Sequence, residues 1–148
     1  AVSTNPPIKG FIDIVATWND KKTIGEVKTT KQEAFTLLKA SGKPRGYQLI
    51  QLLIYMKIEE AEQGFMLYEN KNTGEMLIMP VYMTGENKRI IDEAFEWFQQ
   101  VWDNKELPVR PFDKLSFECR YCPFKKHCWK DKTDQGTVNI IPLEVPGS

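Results

Sequence analysis

Asp13, Glu26 and Lys28 are the residues whose types and spacing could do chemistry. Glu26 and Lys28 stand two apart in Thr23-Ile24-Gly25-Glu26-Val27-Lys28-Thr29-Thr30, which reads as a strand, so side-chain alternation projects both from one face. Asp13 lies in Phe11-Ile12-Asp13-Ile14-Val15, a second strand-like run. The turn-forming Asn19-Asp20-Lys21-Lys22 between the runs folds them into a hairpin that brings Asp13 near Glu26. Two carboxylates placed so repel, and one ammonium offsets this only in part. A hard divalent cation resolves the conflict. Mg²⁺ takes oxygen ligands, and Asp13, Glu26 and the carbonyl of Val27 leave positions for water and a phosphate oxygen. Such an ion acidifies its bound water, orients it and stabilises charge on the phosphate. Lys28 would position or deprotonate that water and bind the phosphate, and its role stays open among these. The bare spacing also fits a hairpin with a solvated, salt-bridging face, but the apolar neighbours of Asp13 and Glu26 place both inside strands rather than polar loops.

The elements around this hairpin alternate in type. Gly10–Trp18 and 23–30 are the two strands, and 31–41 is a helix closed by Ser41-Gly42-Lys43-Pro44, since Gly and Pro resist helical continuation. From Tyr47 to about Glu62 the chain is apolar nearly all round, as expected of a buried helix, and its polar exceptions need partners. Residues 64–70 and 75–83 are strands joined at Lys71-Asn72-Thr73-Gly74. Ile90, Ile91, Ala94, Phe95, Phe98, Val101 and Trp102 recur at three- and four-residue steps, which predicts an amphipathic helix over 86–103. The fold class is therefore α/β.

At 148 residues and 41% hydrophobic content, the chain supports one core and too little for two ordinary domains. One domain over 1–148 is expected, with a core at about 8–104, a cysteine segment at about 115–130 and a loose tail at 131–148. No run approaches the ~20 apolar residues of a membrane span, and the start has neither the charged nor the apolar region of a signal peptide. A soluble, cytoplasmic protein is the expectation. The net charge is zero, which argues against binding a polyanion by bulk charge. Its distribution is uneven: residues 1–50 carry eight basic and four acidic side chains, 51–104 four and ten, and 105–132 eight and four. Two basic ends flanking an acidic middle suit a polyanion held on one face, or an ordinary solvated surface.

The order Gly10-x-x-Asp13, Glu26-x-Lys28, Gln51-x-x-x-Tyr55 resembles the PD-(D/E)XK nuclease superfamily, and within it the RecB-like branch of bacterial recombination nuclease domains and CRISPR-adaptation nucleases. The resemblance implies a restriction-endonuclease-like fold, a central mixed β-sheet flanked by helices, with a small C-terminal cysteine-bearing lobe. It implies that Gln51 and Tyr55, on the helix after the Glu-x-Lys strand, hold DNA or the attacking water. Tyr47, Gln51 and Tyr55 are four apart and share one stripe of that helix.

A third match is Cys119-x-x-Cys122, then Cys128. Relatives with three cysteines here, plus a fourth far upstream, ligate a [4Fe–4S] cluster; this sequence has three cysteines, so the fourth ligand is not identified. Zn²⁺ on the same thiols completed by His127, or three reduced thiols in a small knuckle, are the other readings. Arg120, Lys125, Lys126, Lys130 and Lys132, with Tyr121, Phe124 and Trp129, would contact phosphates and stack on bases, or cover a small core.

The resemblance implies a Mg²⁺- or Mn²⁺-dependent deoxyribonuclease. Its expected action is exonuclease-like, in recombination, repair or phage DNA processing, within a bacterial or phage-infected cell and in some cases within a larger recombination or replication complex. Two other classes remain: a non-catalytic DNA-binding module, and a zinc-knuckle interaction protein.

Overall fold

Asn19 and Asp20 both adopt left-handed backbone, with φ of 50° and 58°, the conformation that a two-residue hairpin turn asks of its central positions. They join β3 (Ile14–Trp18) to β4 (Lys21–Thr30), which pair antiparallel with Ile14 opposite Gly25 and Trp18 opposite Lys21. The predicted hairpin is present, with one correction. Asp13 lies at a bend just before β3 and not within the strand.

The computed structural model describes residues 1–105, 109–110 and 112–129, so the expected loose tail at 131–148 lies outside the described residues. Two compact units divide the chain, one over residues 1–100 and one beginning at Val101.

In the first unit, β4 leads through α1 (Gln32–Ser41) and α2 (Gly46–Ile58) into β5 (Gln63–Asn70), which pairs parallel to β4 with Glu26 opposite Met66 and Lys28 opposite Tyr68. A parallel neighbour needs such a crossover. β6 (Met76–Tyr82) then returns antiparallel on β5, giving a mixed sheet in the order β3-β4-β5-β6. α3 (Gly85–Asn104) follows. A short hairpin, β1 (Val2–Thr4) with β2 (Pro7–Lys9), forms a separate two-stranded sheet that the sequence reading did not expect. This is an α/β architecture of the restriction-endonuclease-like kind.

The core lies between one sheet face and the helices. β5 alternates strictly, burying Gly64, Met66, Tyr68 and Asn70, and of these Met66 and Tyr68 join Leu49, Leu52, Leu53 and Met56 of α2, Phe35 and Leu38 of α1, and Ile91 of α3 in one apolar cluster. α2 ends earlier than about Glu62. Glu60 turns left-handed (φ 54°) and the Ala61 N–H donates to the Met56 carbonyl at 2.8 Å, a closure that satisfies the carbonyls of the last turn. Tyr68 is buried with its hydroxyl donating to Gln48 Oε1 at 2.8 Å, and burial pushes its phenol above the usual tyrosine value. No helix among the described residues is long and apolar enough to cross a membrane.

Candidate active site

Glu26 is placed by register on the core face of β4, between Ile24 and Lys28, and is only 2% exposed. A carboxylate there is costly unless each oxygen has a partner. Oε1 has one: Lys28 Nζ donates to it at 2.5 Å. Oε2 is buried and has none. Lys28, 27% exposed at its side chain, also donates to Gln51 Oε1 at 3.1 Å. Gln51 Nε2 in turn donates to the Tyr55 hydroxyl at 3.3 Å. A hydrogen-bonded chain therefore runs from Glu26 through Lys28 and Gln51 to Tyr55, linking β4 to α2. Of the polar exceptions on α2, Gln51 and Tyr55 have their partners in this chain, whereas Gln48 pairs with Tyr68 and Lys57 with Asp92.

Asp13 joins from the other side. Its Oδ2 accepts the backbone N–H of Val27 at 2.8 Å, which fixes the carboxylate against the residue between Glu26 and Lys28. In extended backbone a residue's N–H and C=O face the same edge, so the Val27 carbonyl faces the edge where Asp13 lies. β3 has ended by then, since its pairing begins at Ile14–Gly25. The structure thus brings Asp13, Glu26, Val27, Lys28, Gln51 and Tyr55 together around one end of β4. Tyr47 does not join them: it is 69% exposed, with its hydroxyl 3.4 Å from Arg45 Nη1 and from Gln48 Nε2.

Gly10 has a part that its place in a motif did not reveal. A Cβ built on it would come 2.6 Å from both Cε1 and the hydroxyl oxygen of Tyr55, a distance no real Cβ contact holds. Only glycine lets the backbone before Asp13 lie against the Tyr55 ring. The signal available in the sequence was the glycine itself, three residues ahead of Asp13.

A family model described as the PD-(D/E)XK nuclease superfamily matches residues 5–129, which spans all of these elements. The chain belongs to the PD-(D/E)XK nuclease superfamily. Superfamily members are metal-dependent hydrolytic nucleases that typically use Mg²⁺ or Mn²⁺. Among solved structures the chain is similar to the crystal structure of SSO0001, at 19% identity and a TM-score of 0.49, covering 79% of this chain and 48% of that one. The chain thus spans about half the length of that protein. No curated protein matches closely enough to count as a relative.

The residues present fit the superfamily's cation. Glu26 Oε2 is a buried anionic oxygen without a partner, Asp13 supplies a second carboxylate whose Oδ1 has no hydrogen bond among the described residues, and oxygen donors are what Mg²⁺ and Mn²⁺ require. Among the described residues no three of His, Cys, Asp and Glu come together as a ligand group, so Asp13 and Glu26 are the carboxylates that would hold a cation here.

The cysteine expectation fares differently. Cys119 sits on α4 (Phe117–Arg120), where its N–H donates to Ser116 Oγ at 3.2 Å, and Cys128 ends α5 (Lys125–Cys128). All three thiols are free, with Cys119 and Cys122 half-buried and Cys128 exposed. Among the described residues Cys119, Cys122 and Cys128 make no group that could hold a metal ion, so neither Zn²⁺ nor a [4Fe–4S] cluster finds support in them. The His127 side chain, Lys130 and Lys132 lie outside the described residues. Of the aromatic residues in this segment, Tyr121 and Phe124 are exposed, whereas Trp129 lies under the Arg110 guanidinium at 4.5 Å.

Proposed function

We propose that the protein is a deoxyribonuclease of the RecB-like branch that hydrolyses phosphodiester bonds with Mg²⁺ or Mn²⁺ and works on DNA ends. The observation that carries this reading is Glu26 Oε2, an anionic oxygen buried without a partner beside a lysine, a glutamine and a second carboxylate.

Asp13, Glu26 and the Val27 carbonyl would hold the cation, which supplies an activated water and neutralises charge on the phosphate. Lys28 has three N–H donors. Two are taken by Glu26 Oε1 and Gln51 Oε1, which leaves one for a non-bridging phosphate oxygen. Glu26 and Gln51 thereby act as a bracket that aims the ammonium. Tyr55, receiving from Gln51, keeps its own hydroxyl hydrogen for a phosphate oxygen or the water. In the reaction the water oxygen loses a proton as it bonds to phosphorus, the bond from phosphorus to one sugar oxygen breaks, and that oxygen takes up a proton.

The test is degradation of end-labelled linear DNA, single- and double-stranded, beside a covalently closed circle, in Mg²⁺, Mn²⁺ or EDTA, with Glu26→Ala as control. Metal-dependent loss of linear DNA, survival of circles and an inactive Glu26→Ala are expected. DNA bound without cleavage in either metal would turn the reading to a non-catalytic DNA-binding module.

A further inference from the structure

The segment leading into Asp13 is held at every residue but one. The Gly10 N–H donates to the Ala1 carbonyl at 3.1 Å, one pair beyond the β1–β2 ladder, and its α-carbon faces the Tyr55 ring. Ile12 packs against the core, and Asp13 is tied to Val27. Phe11, between them, is 84% exposed. Gly10 and Ile12 on either side of it face inward, and Phe11 faces solvent. A scattered exposed apolar side chain needs no explanation. An exposed phenyl ring two residues from the Asp13 carboxylate of the candidate site does.

A second exposed ring lies beyond the other end of the site. Tyr47, Gln51 and Tyr55 follow one stripe of α2, so Tyr47 stands two turns, about 12 Å along the axis, from the Tyr55 ring that touches Gly10. The contact of Gln51 with Lys28 falls midway. Arg45 Nη1 reaches the Tyr47 hydroxyl at 3.4 Å, which sets a guanidinium beside that ring, and the first turn of α2 carries no acidic residue.

We infer that Phe11 and Tyr47 stack on nucleobases on either side of the phosphate held at Lys28, and that the substrate is therefore a single strand, or a frayed end, with its bases unstacked. This rests on the nuclease reading. Bases inside a duplex have both faces covered by their neighbours, and only an unpaired strand offers them to aromatic side chains.

The experiment compares the wild-type chain, Phe11→Ala, Phe11→Trp and Tyr47→Ala on a labelled single-stranded oligonucleotide, the same strand with abasic sugars flanking the cleavage site, and a blunt duplex. Stacking worth ~1–3 kcal/mol per base corresponds to a rise in KM of about 5- to 150-fold for each alanine variant on the intact strand. kcat should stay within about threefold, since the lost contact is made equally in ground and transition states. Phe11→Trp should restore KM. The abasic strand should bind the wild type and Phe11→Ala equally poorly, and the thermal midpoint should not move, because the ring is in solvent. Equal KM in wild type and alanine variants, a loss that persists on the abasic strand, or no rescue by tryptophan would each overturn the inference. If the wild type cleaves nothing, the nuclease reading fails. Anisotropy of the labelled strand then still decides this one: a weaker Kd for both alanine variants with rescue by tryptophan supports it, and unchanged Kd or no binding at all overturns it.

Discussion

Gly10 and Tyr55 are in contact closer than any side chain at position 10 would allow, with an ideal Cβ placed 2.6 Å from the tyrosine ring and hydroxyl. The backbone that delivers Asp13 is thus seated on the residue that ends the Glu26–Lys28–Gln51–Tyr55 chain. Tyr55 is 8% exposed and belongs to the core, so it has little room to yield. Gly10→Ala is expected to cost about 1–3 kcal/mol by overpacking and to lower kcat, because either Tyr55 or Asp13 must move. Coupling between the two positions provides the check. In a double-mutant cycle with Tyr55→Leu, alanine at position 10 should cost clearly less once the ring is gone; additive losses in thermal unfolding would show that the contact does not matter.

Glu26 Oε2 should make the folded state bind divalent cations. Anything that binds only the native state stabilises it by mass action, ~2.7 kcal/mol at a hundred times its Kd, which for a domain of this size is a rise of about 5–11 °C in Tm. The rise is expected in Mn²⁺ and Mg²⁺ for the wild type and absent for Glu26→Gln, where the orphaned oxygen no longer carries charge. Calorimetry with and without EDTA reads it, and an equal rise in both proteins would place the ion elsewhere.

Much of this arrangement was legible in the sequence because local chemistry and tertiary structure agree. The Asn19-Asp20 turn has the residues that left-handed backbone accepts, and β5, β6 and α3 follow their hydrophobic periods to within a few residues. The parallel pairing of β4 with β5 was not legible, since hydropathy carries no strand direction. Neither was β1–β2, whose strands of three residues, one of them opening on Pro7, are too short to show a period. The β-branched and aromatic residues on both sides of Asp13 concealed the bend there. For the site, the family resemblance pointed to Gln51 and Tyr55, but it did not show that Gln51 would hold Lys28, because that contact spans twenty-three residues of chain.

Lys28→Ala separates stability from catalysis. It leaves Glu26 buried with neither oxygen paired, a situation that costs ~3–5 kcal/mol in a fully buried pair and about 1–3 kcal/mol here, since Lys28 is partly exposed. Metal binding relieves the same penalty, so Mn²⁺ should stabilise Lys28→Ala at least as much as the wild type while cleavage falls by roughly two to four orders of magnitude. Melting curves with and without Mn²⁺, run beside single-turnover cleavage, test both halves. Retained activity would remove Lys28 from the mechanism.

Asp92 gives α3 a pH-dependent tie to α2. Its carboxylate accepts from Lys57 on α2 and from Lys88 at 2.5 Å, and these bonds, Lys57 first, hold its carboxyl below the usual aspartate value. A carboxyl whose folded value is depressed contributes stability that is present above its unfolded value, about 3.9, and is lost as pH falls through the folded one. About a third of the side chain is exposed, so screening limits the contribution to under ~1 kcal/mol. The expected result is that Asp92→Asn melts a few degrees below the wild type, about 2–4 °C per kcal/mol, with a gap that is constant from pH 7 to about 5 and closes toward pH 3. A gap that persists to pH 3 would mean that Asp92 acts through packing and not through its charge.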